Sequence, residues 1–529
     1  MRKLPLLATL LALLAAMLAP SLAFASPLAL MATITGTINS NVLTLEEDLD
    51  AFSLQLQFVF APPGRYIASS PAGDTISITD LDGNASIQNN NSSSVTVIIA
   101  ANDLTGITVN GSIWEDTITV VLPQHPITLA SGGSSDTINI FSPTIGTINT
   151  GPGFDEINIL APFTGTVTGG SHDDQILLAS GVTVSGQVSG GSGIDHLIVQ
   201  TNNPAVTLTG SSVNGFNGTM TGLATPFQGL EEITAPNGTS ASLTGRDVTA
   251  SWTLGATRSY TDGTATLTFT GFDTLNGGSA ADTFVLTQSQ TLNINGLGGD
   301  DAIEFDANGV TLTGNFQGGP GSNTLQFNGS ANQQFEWNGS ALINSLVSGT
   351  LGGIRTVVGG SGVDTFLVLD NATMNFVGRG GNDAFAIYDG VTLTGSINGG
   401  GQAQRDTLTV NGVSPEFVLT GVTPDGFAGT VTYLTGGFTG IDSIQPFSPD
   451  PFNSPQLFGL HADAVWEFDS DPKYVNTASG EELEFAGIYR LTGGHGNDTF
   501  NVITPYDQTH SSYQVLMYGM GGDDTATVN

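Results

Sequence analysis

Short bursts of alternating apolar and polar residues recur along this chain. Large aliphatics fall two positions apart at Ile138 and Ile140, Ile157 and Ile159, Ile176 and Leu178, Leu197 and Val199. That spacing is the period of a strand with one buried face. Each burst follows an aspartate by two residues (Asp136, Asp155, Asp174, Asp195), and each aspartate closes a glycine-rich loop. The intervals are 19, 19 and 21 residues. A second short strand, built around Ile148, Val167 and Val188, precedes each later loop. One period therefore holds two short strands and two turns.

A unit of this size cannot bury its apolar face alone, whereas units stacked at a fixed period align like residues into interior ladders and close a continuous core. The pattern predicts an all-β fold, a parallel β-solenoid (β-helix or β-roll) with short coils of about 19 residues. Glycine suits the corners, where φ turns positive and backbones approach closely. Loop carbonyls and the Asp carboxylate converge at such a corner, and the same corner of the next coil lies ~4.8 Å away. Stacked oxygens at that spacing suit a hard cation such as Ca2+, which takes six to eight of them.

Three loops carry a closer signature: GGSGID at Gly190 to Asp195, GGSGVD at Gly359 to Asp364, and GGHGNDTF at Gly493 to Phe500. These resemble the GGxGxDxUx repeat of the RTX, or haemolysin-type, calcium-binding proteins, also met in large bacterial surface and adhesin-like proteins. The resemblance implies a β-roll in which Asp carboxylates and loop carbonyls of adjacent coils hold Ca2+. Carried over position by position, it offers Asp195, Asp364 and Asp498, with Gly190, Gly193, Gly359, Gly362, Gly493 and Gly496. Loops ending at Asp282, Asp301, Asp383 and Asp524 keep the Asp and vary a glycine; Asn323 stands in one, and the loop to Asp406 is two residues longer. With Asp136, Asp155 and Asp174 these complete the expected metal positions. Since the motif occurs once per coil, calcium is expected along one edge only.

The N-terminus carries Arg2 and Lys3, an apolar run from Leu4 to Ala19, and Ala23-Phe24-Ala25 before Ser26. This reads as a bacterial Sec-type signal peptide over 1–25, hence a secreted or cell-surface protein. Residues 26–124 are expected to form an N-terminal cap, around Leu43 to Phe60, and the first irregular coils. Residues 125–200 form the short-coil calcium block, and 201–529 continue the solenoid. The end at Asn529, directly after GGDDTATV, leaves open whether the chain is a fragment of something longer. No other apolar run is long enough for a membrane-spanning segment in the mature chain.

After Val199 a second element appears, Phe-x-Gly-aliphatic, at Phe227 to Leu230, Phe438 to Ile441 and Phe485 to Ile488. It predicts long coils of about 41 to 46 residues alternating with the short ones. Each long coil carries an aromatic or Leu pair, among them Trp252 with Leu254, Phe335 with Trp337, and Val465 with Trp466. The tryptophans are expected to close the wider core; exposed, they would form a carbohydrate-stacking surface.

Net charge changes the picture of partners. With 47 acids against 10 bases the chain stands at −37, which disfavours nucleic acid and other polyanions and favours divalent cations. With no cysteine there is no disulfide to staple the coils, so calcium is the expected cofactor. No enzyme activity is expected. A carbohydrate-active lyase, epimerase or hydrolase needs a base, and lyases and epimerases usually cations; the arginines are scattered, and two carboxylates at hydrolase spacing arise readily in any acidic solenoid. His172, His196 and His495 lie in or beside the loops without paired metal spacing and read as turn residues. Ice binding would need Thr-x-Thr on many successive coils, and VTLTG recurs only at Val206, Val310 and Val391. The expected role is structural or adhesive, with calcium ions as partner and carbohydrate or another cell-surface protein left open as adhesion ligand.

Overall fold

The computed structural model describes residues 126–529 except 239, 402–404, 447–454, 489, 503–514 and 529, together with residues 115–120 and the backbone of shorter strands before them. Among the described residues there is no helix, and the strands pair mainly in parallel. The fold is an all-β parallel solenoid, as the periodicity predicts. Two units divide it: Met1–Leu243 with Gly263–Phe272, and Thr244–Asp262 with Asp273–Asn529.

In the first unit two parallel ladders form the walls. Strands following the loops, Asp116–Val120, Thr137–Ile140, Glu156–Ile159, Gln175–Leu178, His196–Val199 and Glu232–Thr234, pair in sequence order. Their register stacks Ile118, Ile138, Ile157, Ile176, Leu197 and Ile233, every one buried. Strands preceding the loops, Pro126–Ala130, Thr144–Pro152, Phe163–Ser171 and Val188–Ser192, form the opposite ladder, stacking Leu129, Ile148, Val167 and Val188. The two-residue alternation thus becomes two columns of aliphatic side chains facing each other, each removing ~1.5–3 kcal/mol worth of apolar surface from water per residue. Glycine is required where coils touch backbone to backbone: Gly165 sits at φ +138°, and a Cβ there would overlap the Gly146 carbonyl oxygen of the coil below.

Strands before residue 115 pair in the same manner. Thr75–Asp80 lies parallel to Gly106–Asn110, and Ser93–Val97 to Asp116–Val120. Most of the cap expected around Leu43 to Phe60 lies outside the described residues; within it Val42–Glu46 pairs antiparallel with Thr35–Asn39.

Long coils are built by hairpins. Ala205–Ser212 and Gly215–Met220 pair antiparallel, and Phe227–Leu230 adds a third strand. The second unit repeats this arrangement with Glu416–Thr423, Gly426–Val431 and Leu434–Ile441. The Phe-x-Gly element has its cause here: the Phe227 ring lies against Gly218 and the Phe438 ring against Gly429, where any side chain would collide with it. Another hairpin type also occurs twice, Ala250–Leu254 with Arg258–Thr261 and Ala464–Phe468 with Lys473–Asn476. In the first, Trp252 stacks on Phe284 at 5.4 Å with Tyr260 edge-on at 4.6 Å; in the second, Trp466 stacks on Phe500 at 5.6 Å with Tyr474 edge-on at 4.6 Å. The chain therefore contains an internal duplication that short motifs do not reveal.

In register the long coils advance by between 31 residues, from Gln333 to Asp364, and 41 residues, from Ser443 to Glu484, since hairpin strands themselves occupy ladder positions. At one of them the walls of the second unit exchange roles. Ile354–Val358 pairs on one side with Asn323–Phe327, which follows a loop, and on the other with Asn375–Val377, which precedes one.

Candidate metal centre

All the loop aspartates from Asp136 to Asp498 are buried, at 2% exposure or less, and so is Asn323; Asp524 is exposed. The coil places each one just before its strand, turned inward beneath the loop glycine. There the carboxylates form a ladder of their own. Asp136 N–H donates to Asp155 Oδ1 at 2.7 Å, Asp155 N–H to Asp174 Oδ1 at 2.9 Å, and Asp174 N–H to Asp195 Oδ1 at 2.9 Å. In the second unit Asp282 donates to Asp301, Asp301 to Asn323, Asp364 to Asp383 and Asp383 to Asp406 in the same sense, and Asp498 donates to Asp524. Each carboxylate thus ties its coil to the preceding one through Oδ1.

Two rungs were not legible as part of this column. Glu231 Oε2 accepts from Asp195 N–H at 2.8 Å, and Asp442 Oδ2 accepts from Asp406 N–H at 2.9 Å. Both follow the Phe-x-Gly element directly, the one signal that could have found them. A second, outer ladder was also missed. The residue before the buried Asp accepts from the next coil: Asp173 from Ile194 N–H, Asp300 from Ser322 N–H, Asn382 from Arg405 N–H, and Asn497 from Asp523 N–H. Paired acidic or Asn-Asp residues in the loops are the mark of a corner tied in both directions.

Oδ2 is where the rungs differ. On Asp155, Asp174, Asp195, Asp301, Asp383 and Asp406 it is buried and no hydrogen bond reaches it. The last five of these each face a further acceptor, because Oδ2 and the carbonyl oxygen of the glycine one coil on (Gly190, Gly229, Gly318, Gly399 and Gly440 in turn) crowd the same point above the loop glycine. Two acceptors facing each other out of water are unfavourable unless a proton or a cation lies between them.

The remaining rungs fill the notch with groups of their own. Asp282, Asp364 and Asp498 receive backbone N–H groups on Oδ2 from Gly278, Gly360 and Gly494, at 2.7, 2.7 and 3.0 Å. Trp252 and Trp466 add indole N–H donors to Oδ1 of Asp282 and Asp498, at 3.3 and 3.4 Å. At the first two loops the glycine is replaced, and the hydroxyls of Ser131 and Thr150 donate to the carbonyls of Thr150 and Gly169 one coil on. Asn323 donates its amide to the carbonyls of Gly319 and Gly353, both at 3.0 Å.

Backbone conformation sets three corners apart. Four residues before Asp136, Asp155, Asp174, Asp195, Asp301, Asn323 and Asp383 stand Gly132, Gly151, Gly170, Gly191, Leu297, Gly319 and Arg379, all at positive φ; before Asp282, Asp364 and Asp498 the corresponding glycines are not. Turning that residue redirects its N–H onto Oδ2.

Burial governs the acidities. It raises Asp174 to about 8, Asp383 and Asp406 to about 7, and Asp195 and Asp282 to about 6, with neighbouring acids adding to the rise. Asp301, Asp364 and Asp498 are raised by burial as well. The donor set at the five incomplete rungs is all oxygen, a carboxylate and a glycine carbonyl, which is the donor type of Ca2+ or another hard cation and supplies two of the six to eight oxygens that Ca2+ takes. Among the described residues no three acidic or histidine side chains gather into one cluster, so each rung brings a single carboxylate.

The tryptophans Trp252 and Trp466 are fully buried and Trp337 is half-buried with its N–H on the Asn371 carbonyl at 2.9 Å. Trp114 lies outside the described residues. An exposed stacking surface is thereby excluded for Trp252 and Trp466. His172 sits exposed beside Phe154, His495 stacks on His461 at 4.5 Å, and His196 meets Thr234 Oγ1 at 2.8 Å. The VTLTG threonines fall in three separate ladders. No helix of the described residues is long and apolar enough to cross a membrane. No protein-family model and no curated protein matches the chain.

Proposed function

We propose that this is a secreted or cell-surface calcium-binding β-solenoid with a structural or adhesive role, its coils stiffened by Ca2+ held along the aspartate column. One observation carries the reading: buried Oδ2 atoms that face glycine carbonyls with no donor. A divalent cation at such a rung supplies positive charge and lets both oxygens keep their lone pairs occupied. The chain's own residues hold the geometry, Oδ1 on the backbone N–H of the previous coil and the loop glycine leaving the approach open. The resemblance to RTX repeats, the leader-like N-terminus and the charge of −37 support the same reading. Since a cation bound only by stacked coils favours the folded state, external calcium would couple to folding.

A second reading has its own observation. Asp174, held near 8 by burial, would carry a proton at neutral pH and donate it to Gly190 O, as the Asn323 amide donates to Gly353 O. The column would then be a set of neutral acids. Calorimetric titration of the chain with Ca2+ at pH 7.5, with Mg2+ as control, separates the two: calcium heats with a finite stoichiometry support the first, their absence the second.

A further inference from the structure

We infer that cations load the buried rungs selectively, at Asp174 and Asp195 in the first unit and at Asp301, Asp383 and Asp406 in the second, and not at the other buried rungs. This rests on the calcium reading above and divides its site. It also runs against the motif, because Asp364 and Asp498, in two of the loops closest to the GGxGxD pattern, are among the rungs left out.

The buried rungs of each unit can be compared corner by corner. At each, the chain must accommodate the second side-chain atom of the buried residue, which at seven corners shares the notch over the loop glycine with a glycine carbonyl of the next coil. Four rungs do so with the chain's own hydrogens: Asn323 places an amide, and Gly278, Gly360 and Gly494 turn their N–H groups onto Asp282, Asp364 and Asp498. At Asp136 and Asp155 the side chains of Ser131 and Thr150 stand in place of the notch glycine, and their hydroxyls donate to the carbonyl of the next coil. A cation entering those notches would meet an N–H or O–H, repelled by its positive end. The five others share three features: glycine at the notch (Gly169, Gly190, Gly296, Gly378, Gly399), no donor on Oδ2, and an approach formed only by oxygen. Leu297 and Arg379 hold positive φ there, at 73° and 75°, although neither is glycine. A non-glycine residue in that region costs about 1 kcal/mol, which is retained at two corners where the N–H is turned away from Oδ2.

The test uses the full chain and two conservative substitutions, with Ca2+ counted by equilibrium dialysis and thermal midpoints measured in chelator. Asp383→Asn should remove calcium from the count while leaving the midpoint in chelator unchanged or raised, since the new amide can reach the Gly399 carbonyl as Asn323 reaches Gly353. Asp364→Asn should leave the count unchanged and lower the chelator midpoint, because an amide NH2 would face the Gly360 N–H. Asp174→Asn and Asp282→Asn form a second pair with the same expectation, in case either variant fails to fold. Calcium lost equally from both members of a pair overturns the selectivity and leaves the calcium reading standing. No calcium bound by the unmodified chain overturns both.

Discussion

The side-chain amide of Asn323 donates to the Gly353 carbonyl oxygen at 3.0 Å. One coil earlier Asp301 presents Oδ2 to the matching carbonyl of Gly318, with no hydrogen to give when ionised. The pair shows what the corner needs and what most of its aspartates lack.

The ladder itself should be measurable without metal. Asp364→Ala strips acceptors from the N–H groups of Gln333 and Gly360, each 2.7 Å from its carboxylate. Leaving two buried donors unpaired should cost about 2 to 4 kcal/mol in chemical denaturation. A loss below ~0.5 kcal/mol would mean that the corner rearranges around the gap.

Coil-to-coil contact predicts unequal glycines. In Gly165→Ala the Cβ meets the Gly146 carbonyl oxygen, whereas at Gly181, with φ +77°, a Cβ meets nothing within 4 Å. The first substitution should destabilise by at least ~2 kcal/mol and the second by about 1 kcal/mol, the strain of positive φ alone. Equal losses would contradict the stacking.

Much of this was legible in the sequence, and the boundary has a physical cause. Ile138, Ile157, Ile176 and Leu197 announce the wall because strand alternation is local, and the interval from Asp136 to Asp155 announces the coil because register repeats it. Glu231 and Asp442 escaped because their hairpins interrupt the period. The division of the rungs escaped because it depends on the orientation of one peptide: GGSGVD at Asp364 and GGSGID at Asp195 differ by one apolar side chain, yet Gly360 turns its N–H onto Oδ2 and Gly191 does not. That difference follows the coil below, a hairpin under Asp364 and a short coil under Asp195.

Substitution toward the motif should stabilise. Arg379 occupies a second-glycine position at φ +75°, and its guanidinium makes an exposed bond to Asn328 at 2.9 Å. Arg379→Gly should gain about 0.5 to 1 kcal/mol, read as a higher thermal midpoint. A lower midpoint would assign the exposed Arg379 to Asn328 bond more weight than the backbone strain.

Acidity gives a signed prediction. Burial raises Asp174 to about 8 and Asp383 and Asp406 to about 7 from an ordinary 3.8, so the folded chain holds protons that the unfolded chain releases. Stability of the calcium-free chain is then fully present near pH 4 and is lost as pH rises through 7 to 8. Saturating Ca2+ should flatten that decline, and calcium affinity should fall on acidification as protons compete for the same oxygens. Midpoints that rise with pH in chelator would refute the assignment.

The central claim is tested most directly by following residues 26–529 through a Ca2+ titration at pH 7.5 by circular dichroism and thermal melting, with Mg2+ in parallel. The account predicts a melting midpoint that climbs steeply with Ca2+ and little with Mg2+, because the larger ion accepts irregular oxygen sets that Mg2+ rejects. A midpoint indifferent to both ions, together with high stability below pH 6, would contradict it and leave the column as a ladder of protonated aspartic acids.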